Sequence, residues 1–300
     1  MRALGFAGCG LLRLSGYGGA SKQRSAMRPR RLLVTASTAE STPPPAKSWK
    51  LETAVSNRPH PEKLEKGGED AFFVLETAMG VFDGVGGWAS QGIDPGLYSR
   101  KLSRLTEEQI KEGKDLAEAL DHAHKNNDLQ GSTTACIARI LPGGKIALLN
   151  VGDSGLIAIR PSQGIYFKTP DQQHYFNCPF QLGSTFEDKV KDGIAGEIPV
   201  QSGDYLILAT DGLLDNLHDI ELEKIVKDLD KEKSGQNALD AIANTLSIRA
   251  QTLAVEDKYW SPFAMNASKY GYSTLGGKLD DITLIAARAV LSEGEDEVLK

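Results

Sequence analysis

The chain has 300 residues, of which 40% are hydrophobic and 25% are charged, and its formal net charge is −6. This composition is typical of a globular protein with a sizeable core, and it excludes collagen-like and largely disordered chains. No run approaches the roughly 20 apolar residues of a membrane span, so none is expected. The cysteines, Cys9, Cys136 and Cys178, lack metal-binding spacing and are too few for a secreted disulfide framework.

The N-terminal segment has the composition of a transit peptide. No acidic residue precedes Glu40, whereas seven Arg and Lys residues lie there among Ser, Thr, Gly and Ala. A disordered basic arm for nucleic acid is the alternative, but apolar residues such as Leu4, Phe6 and Leu11 suit an importable amphipathic segment better. We predict a cleavable transit peptide and disordered linker over residues 1–45, with import into a mitochondrion or chloroplast. Loss of the seven charges would lower the net charge from −6 to −13, which disfavours nucleic acid as a partner.

The predicted elements begin with a short strand over residues 49–55 and two further short strands, AFFVLE and MGVF, on either side of Thr77. A helix is predicted to start at Asp94 and Pro95, which suit the N-cap and the first helical turn, and to end at Gly113. A second helix follows around residues 116–123. Three strands are then predicted over 132–141, 145–151 and 156–160.

The second half begins with a polar, irregular segment, residues 168–199, which we interpret as a loop-rich insert over the mouth of the sheets. Two amphipathic helices follow over 219–229 and 236–253. Residues 259–277 are predicted to form a flexible flap, and ITLIAARAVL the last strand. An acidic tail, residues 293–300, ends the chain. Helices that arrive in pairs between runs of strands fit two antiparallel sheets with helices outside.

Acidic clusters recur at the ends of the predicted strands. Glu69–Asp70 precede one strand and Asp83–Gly84 follow the next, and antiparallel pairing would bring these two ends together. Three clusters in similar positions follow downstream, namely Gly152–Asp153, Asp211–Gly212 and Asp280–Asp281. Together the five clusters can converge on one spot.

A single Asp-Gly pair is more often a hairpin turn than a ligand. However, Asp83–Gly84 runs on into Val85–Gly86–Gly87, and Asp211–Gly212 into Leu213–Leu214, so neither pair is a two-residue loop between strands. Carboxylates without clustered Cys or His favour hard divalent ions, Mg²⁺ or Mn²⁺.

At these motifs the chain resembles the metal-dependent serine/threonine protein phosphatases of type 2C, and its motif sequences are most similar to those of their organellar branch. The resemblance covers roughly residues 50 to 290 and implies a phosphatase domain over 46–292. It also implies the fold class α+β, a four-layer α-β-β-α sandwich of two mostly antiparallel sheets flanked by helices. The matching motifs, in order, are Glu69–Asp70, Asp83–Gly87, Gly131–Thr134, Gly152–Ser154, Asp211–Asp215 and Asp280–Thr283.

The resemblance also implies a mechanism. Two ions, Mg²⁺ or Mn²⁺, would share a hydroxide that attacks phosphoserine or phosphothreonine directly in organellar phosphoproteins, and Asp70 would orient the water. The protein is expected to act as a monomer. The implied metal ligands are Asp83 on both ions, Asp211 and Asp280 on one, Glu69 and the Gly84 carbonyl on the other, and Asp153 on a third, weaker ion.

The chain departs from the family pattern at the substrate phosphate. Family members commonly carry a basic residue shortly before the first acidic motif, but Glu65 stands four positions before Glu69. Lys66 is therefore predicted to bind the phosphate by its proximity alone, and the alternative is a solvated surface lysine.

A second departure is Val85, where many family members carry a histidine that protonates the leaving oxygen. Valine cannot donate a proton. This leaves open an alternative function, a catalytically weak scaffold of the same fold that binds phosphoproteins. His174 is interpreted as a loop residue or, alternatively, as a residue on the substrate side.

Overall fold

The computed structural model describes residues 47–185 and 187–292. The predicted transit peptide and linker, residues 1–45, and the predicted acidic tail, residues 293–300, lie outside these ranges and stay predictions. Within the two ranges, no helix is long and apolar enough to cross a membrane.

The described residues form fourteen strands and six α-helices, with three short 3₁₀-helices at Pro61–Lys66, Gly86–Gln91 and Val190–Asp192. The strands are β1 (Ser48–Arg58), β2 (Ala71–Val74), β3 (Ala78–Phe82), β4 (Ser132–Thr133), β5 (Ala135–Leu141), β6 (Lys145–Val151), β7 (Gly155–Arg160), β8 (Gly164–Lys168), β9 (Gln173–Tyr175), β10 (Cys178–Pro179), β11 (Leu182–Gly183), β12 (Ile194–Pro199), β13 (Tyr205–Ala209) and β14 (Ile282–Ser292). The helices are α1 (Pro95–Lys111), α2 (Leu116–Lys125), α3 (Asp211–Leu214), α4 (Asp219–Glu232), α5 (Gly235–Ala254) and α6 (Pro262–Lys269).

Two five-stranded sheets form the centre of the fold. The first has the order β1-β14-β13-β7-β8 and the second the order β12-β6-β5-β3-β2, with antiparallel pairing throughout. Because side chains alternate across a strand, β13 serves two cores. Leu206 and Leu208 join the core between the sheets, while Tyr205 and Ile207 pack under α4 and α5.

Helices cover the outer face of each sheet. The first sheet packs against α3, α4 and α5, through residues such as Leu222 and Leu239. The second packs against α1 and α2, where Tyr98 and Leu120 are fully buried. The resulting order of layers, α-β-β-α, confirms the predicted α+β sandwich. The start of α1 also agrees with its sequence signal, because the Asp94 carboxylate accepts a hydrogen bond from the Gly96 amide at 2.9 Å.

Two predicted irregular segments contain regular structure. Within residues 168–199, β12 pairs with β6 as an edge strand, and its terminal Pro199 is tolerated there because an edge strand has unpaired positions. The predicted flap contains helix α6. Its start signal is present in the sequence, since the Ser261 hydroxyl accepts a hydrogen bond from the Ala264 amide at 3.0 Å and Pro262 occupies the first turn.

Candidate active site

The predicted acidic clusters meet at one end of the two sheets. In the second sheet Ala71 pairs with Phe82, so that Asp70 and Asp83 lie on adjacent strand ends. In the first sheet the end of β13 and the start of β14 are neighbours, which brings together Asp211 and Asp280. The Thr210 hydroxyl donates a hydrogen bond to Asp70 Oδ2 at 2.9 Å and thereby joins the two sheets.

Close backbone approach explains the glycines that follow two of the aspartates. A Cβ atom on Gly84 would lie 2.5 Å from the Glu69 carbonyl oxygen, and one on Gly212 would lie 1.9 Å from that of Asp281. Neither glycine has a positive φ, so neither forms a mirror-image hairpin turn. The Asp-Gly pairs therefore serve the packing of strand ends at the cluster.

Asp83 lies at the electrostatic centre of the cluster. Burial raises its pKa well above the usual range, and the neighbouring charges of Asp211, Asp70 and Asp280 raise it further. The pKa of Asp153 is raised by burial and then by Asp211. The carboxylates thus repel one another strongly.

Lys63 is one of two cations that offset this repulsion. Its Nζ lies 2.6 Å from Glu69 Oε2, 3.2 Å from Asp281 Oδ2 and 3.9 Å from Asp280 Oδ1. Burial alone would lower the pKa of this ammonium group, but the hydrogen bond to Glu69 and the two aspartates raise it overall. Lys63 is therefore held as a cation beside the acidic groups.

Lys278 is the second cation. Its Nζ contacts Asp211 Oδ2 and lies 3.1 Å from Asp215 Oδ2 and 3.2 Å from Asp280 Oδ2. Burial opposes its charge, but the surrounding carboxylates, Asp211 first, raise its pKa well above the usual value. The charged form of Asp215 remains disfavoured despite this partner, because burial raises its pKa to about 7.

The structure corrects the expectation for Lys66, which is exposed, whereas Lys63 faces the carboxylates. After the 3₁₀-helix the chain folds back through Gly67 and Gly68, both with positive φ, and the Gly68 amide donates to the Lys63 carbonyl. This reversal places Glu69 beside a residue six positions earlier. Lys63, and not the nearer Lys66, is therefore the lysine that lies beside Glu69.

The donor chemistry of the cluster fits hard divalent ions. Three buried carboxylate oxygens have no hydrogen-bond partner among the described residues, namely Asp70 Oδ1, Asp153 Oδ1 and Asp211 Oδ1. An unpaired oxygen of this kind is costly unless a cation binds it. Among the described residues, no three acidic, histidine or cysteine side chains are arranged as a preformed metal site. The ammonium groups of Lys63 and Lys278 lie among the carboxylates instead.

Two clefts border Asp153. One has a volume of about 390 Å³ and the other of about 350 Å³. The 350 Å³ cleft is lined by Glu69, Asp83, Gly84, Asp153, Asp211 and Asp280, together with Lys63, Val85 and Asn177. Its described lining contains no histidine. His174 does not line this cleft; its Nε2 lies 2.9 Å from Asp188 Oδ2 and its ring stacks on Phe180. The substrate-side interpretation of His174 is therefore not supported.

Asp281 connects distant parts of the site. Its Oδ1 accepts a hydrogen bond from the His60 amide at 2.6 Å, and its Oδ2 accepts from the Glu69 amide at 2.9 Å. The side chain is 3% exposed. This role was missed from the sequence because no local pattern links residues 212 positions apart.

Comparisons with known proteins identify the family of the chain. A family model described as stage II sporulation protein E (SpoIIE) matches residues 76–257, more than half of the chain. "Probable protein phosphatase 2C 80" of Arabidopsis thaliana is 39% identical over 80% of this chain, which spans 59% of that protein's length. "Probable protein phosphatase 2C 26" of the same plant is 36% identical, over 81% of this chain and 85% of its own length. The chain belongs to the protein phosphatase 2C family.

The fold of this 2C family member also matches a solved structure. The X-ray structure of the photosystem II phosphatase PBCP superposes with a TM-score of 0.73 at 33% identity, covering 79% of this chain and 98% of that one. The predicted family, and with it the prediction of an enzyme of the phosphatase class, are confirmed.

Asp281→Asn tests the role of Asp281 in this 2C family member. One of its two accepting oxygens would become an NH₂ group that faces a backbone N–H, so we expect the free energy of unfolding to fall by about 1–3 kcal/mol. Urea unfolding of the full chain measures it. The matched control is Asp121→Asn on α2, where an exposed i,i+4 pair with Lys125 is lost and a change within about 0.5 kcal/mol is expected. Equal stability of the two variants would contradict a connecting role for Asp281.

Proposed function

We propose that the 350 Å³ cleft hydrolyses phosphoserine and phosphothreonine in proteins with the help of two divalent ions, Mg²⁺ or Mn²⁺. The observation that carries this proposal is that acidic residues from the strand ends of both sheets surround Asp83 closely enough for their charges to raise its pKa. Burying such a cluster of carboxylates costs much free energy unless cations bind it. A dianionic phosphate could enter this cleft only if the acidic charge were compensated.

The chain offers two sets of oxygen donors for the ions. Asp83 belongs to both, Asp211 and Asp280 complete one, and Glu69 with the Gly84 carbonyl completes the other. When bound, such a pair of ions supplies a hydroxide near neutral pH and neutralises phosphate oxygens.

Two further side chains have roles that follow from their contacts. Lys63 borders the cleft with its ammonium group among Glu69, Asp280 and Asp281, so it can bind a phosphate oxygen as a point charge. One oxygen of Asp70 accepts a hydrogen bond from Thr210, and the other has no partner in the part of the chain that the structure describes, which leaves an acceptor that can orient a water molecule. We propose Lys63, in place of Lys66, as the residue that binds the substrate phosphate.

Asp83→Asn is the test of the site. A neutral amide cannot supply the shared anionic ligand, so we expect the turnover of a phosphothreonine peptide in Mn²⁺ to fall more than about 100-fold. The fold should persist, because a repelling charge has been removed; circular dichroism checks this. Asp121→Asn, remote from the cleft, serves as the control with normal turnover. A folded Asp83→Asn protein with near-normal turnover would show that the assignment of the ligands is wrong.

Val85 predicts an unusual dependence on the leaving group. It lines the cleft at the N-cap of the 86–91 3₁₀-helix, where an imidazole could protonate a leaving oxygen. A positioned acid contributes about 10²- to 10⁴-fold, and it matters most for a basic alkoxide and little for a nitrophenolate. We therefore expect Val85→His to raise the turnover of phosphopeptides more than that of nitrophenyl phosphate.

Turnover of both substrates by the native and Val85→His proteins, measured from about pH 6 to 9, decides the matter. Val85→Asn provides a polar control without a titratable proton. If the ratio of the two turnovers were the same in all three proteins, Val85 would not mark a missing acid. If the native protein bound phosphopeptides but hydrolysed neither substrate, the scaffold function would be favoured instead.

We also propose that the substrates are organellar phosphoproteins. The support is the basic, acid-free composition of the first 39 residues and the likeness to a photosystem II phosphatase. Residues 1–45 fused to a fluorescent protein should direct it to a mitochondrion or chloroplast. The same fusion with its seven Arg and Lys residues changed to Gln should remain in the cytosol. A cytosolic signal from the unaltered fusion would refute the proposal.

A further inference from the structure

Lys278 is built into the acidic cluster rather than resting on its surface. Its side chain is 17% exposed, and its Nζ contacts three carboxylates, those of Asp211, Asp215 and Asp280. A fourth carboxylate, that of Asp153, lines the same 350 Å³ cleft as Lys278 and acts on it electrostatically. Its ammonium group therefore compensates the region of the cluster where the sequence places a third, weaker ion.

The backbone of Lys278 is fixed as firmly as its side chain. Asn216, which is fully buried, donates from Nδ2 to the Lys278 carbonyl at 2.7 Å and accepts from the Lys278 amide at 2.8 Å. Asn216 directly follows Asp215, so the same reciprocal pair aligns the lysine with its carboxylate partner. This arrangement fixes the point on the backbone from which the Lys278 side chain extends toward the carboxylates.

The two oxygens of the Asp211 carboxylate have different surroundings. Lys278 contacts Oδ2, whereas Oδ1 is buried without a partner among the described residues. An ammonium group and a divalent ion can therefore use different oxygens of one carboxylate. Asp215 differs, because its Oδ2 is taken by Lys278 and it does not line the 350 Å³ cleft.

We infer that the Lys278 ammonium group permanently takes the place of the third divalent ion, so that the protein binds two ions and Asp215 is a partner of the lysine. The inference rests on the proposed function for the two ions themselves. A lysine has a physical advantage in this position. Its charge is present at any free metal concentration, and it needs no dehydration of a reluctant ion such as Mg²⁺.

The number of bound Mn²⁺ ions per chain tests the inference. We would measure it on the full chain by equilibrium dialysis with mass spectrometry of the metal, and by electron paramagnetic resonance of the free ion. The wild-type protein should bind two ions at saturation. Lys278→Met, which keeps the length of the side chain without its charge, should bind three.

Asp215 provides the second arm. Asp215→Asn in the wild-type background should leave the count at two, since Asp215 binds no ion there. In the Lys278→Met background the same change should lower the count from three to two. Lys168→Met is the matched control, because this lysine lines the neighbouring 390 Å³ cleft but pairs with Asp219, 2.7 Å away. Its count should stay at two.

Each other outcome overturns the inference. A wild-type protein that binds three ions, with one lost in Asp215→Asn, would show that Lys278 does not replace an ion, even if Lys278→Met failed to fold. A folded Lys278→Met protein that binds only two would show the same. A wild-type protein that binds no Mn²⁺ would overturn the proposed two-ion site as well, which distinguishes the two failures.

Discussion

The repulsion between carboxylates at Asp83 is the constraint on which the rest of the site depends. Buried like charges raise one another's pKa values, and here burial and neighbouring charges act together on Asp70, Asp83 and Asp280. A fold can keep such a cluster only where it supplies cations or admits them. The chain does so with Lys63 and Lys278, and three buried carboxylate oxygens have no hydrogen-bond partner within residues 47–185 and 187–292.

The sandwich resists this repulsion because the acidic groups lie on strand ends of a packed core. The strands that precede Asp83 and Asp211, β3 and β13, are buried along their whole length. Gly84 and Gly212 let the loops beyond them approach neighbouring backbone at distances that a side chain would forbid. The positions of the acidic residues therefore depend on backbone packing more than on flexible side chains.

An aromatic cluster joins the hairpin of β9 and β10 to α6 and the residues that follow it. Phe176, in the hairpin of β9 and β10, packs against Phe263, Tyr270 and Tyr272, with ring centroids 5.1 to 5.7 Å apart. Asn177 of the same hairpin lines the cleft, and Lys278 lies 5.7 Å from the ring of Phe263. The hairpin that borders the cleft therefore packs directly against α6 and the residues that follow it. These contacts give the segment after α5 a structural role beyond that of a linker.

The sequence by itself determined the family and the layered fold, and it predicted which acidic residues would lie together at the strand ends, because each of these features is encoded locally. Strand and helix periodicity can be recognised within a few residues, and acidic groups at strand ends must share an edge once neighbouring strands pair antiparallel. The tertiary structure alone decided which lysines face the cluster, the role of Asp281, and the pairing of β12 with β6. These features depend on contacts between residues far apart in the chain, such as Lys278 with Asp215 and Asp281 with Glu69. No local pattern specifies such contacts, since they exist only after both sheets have packed.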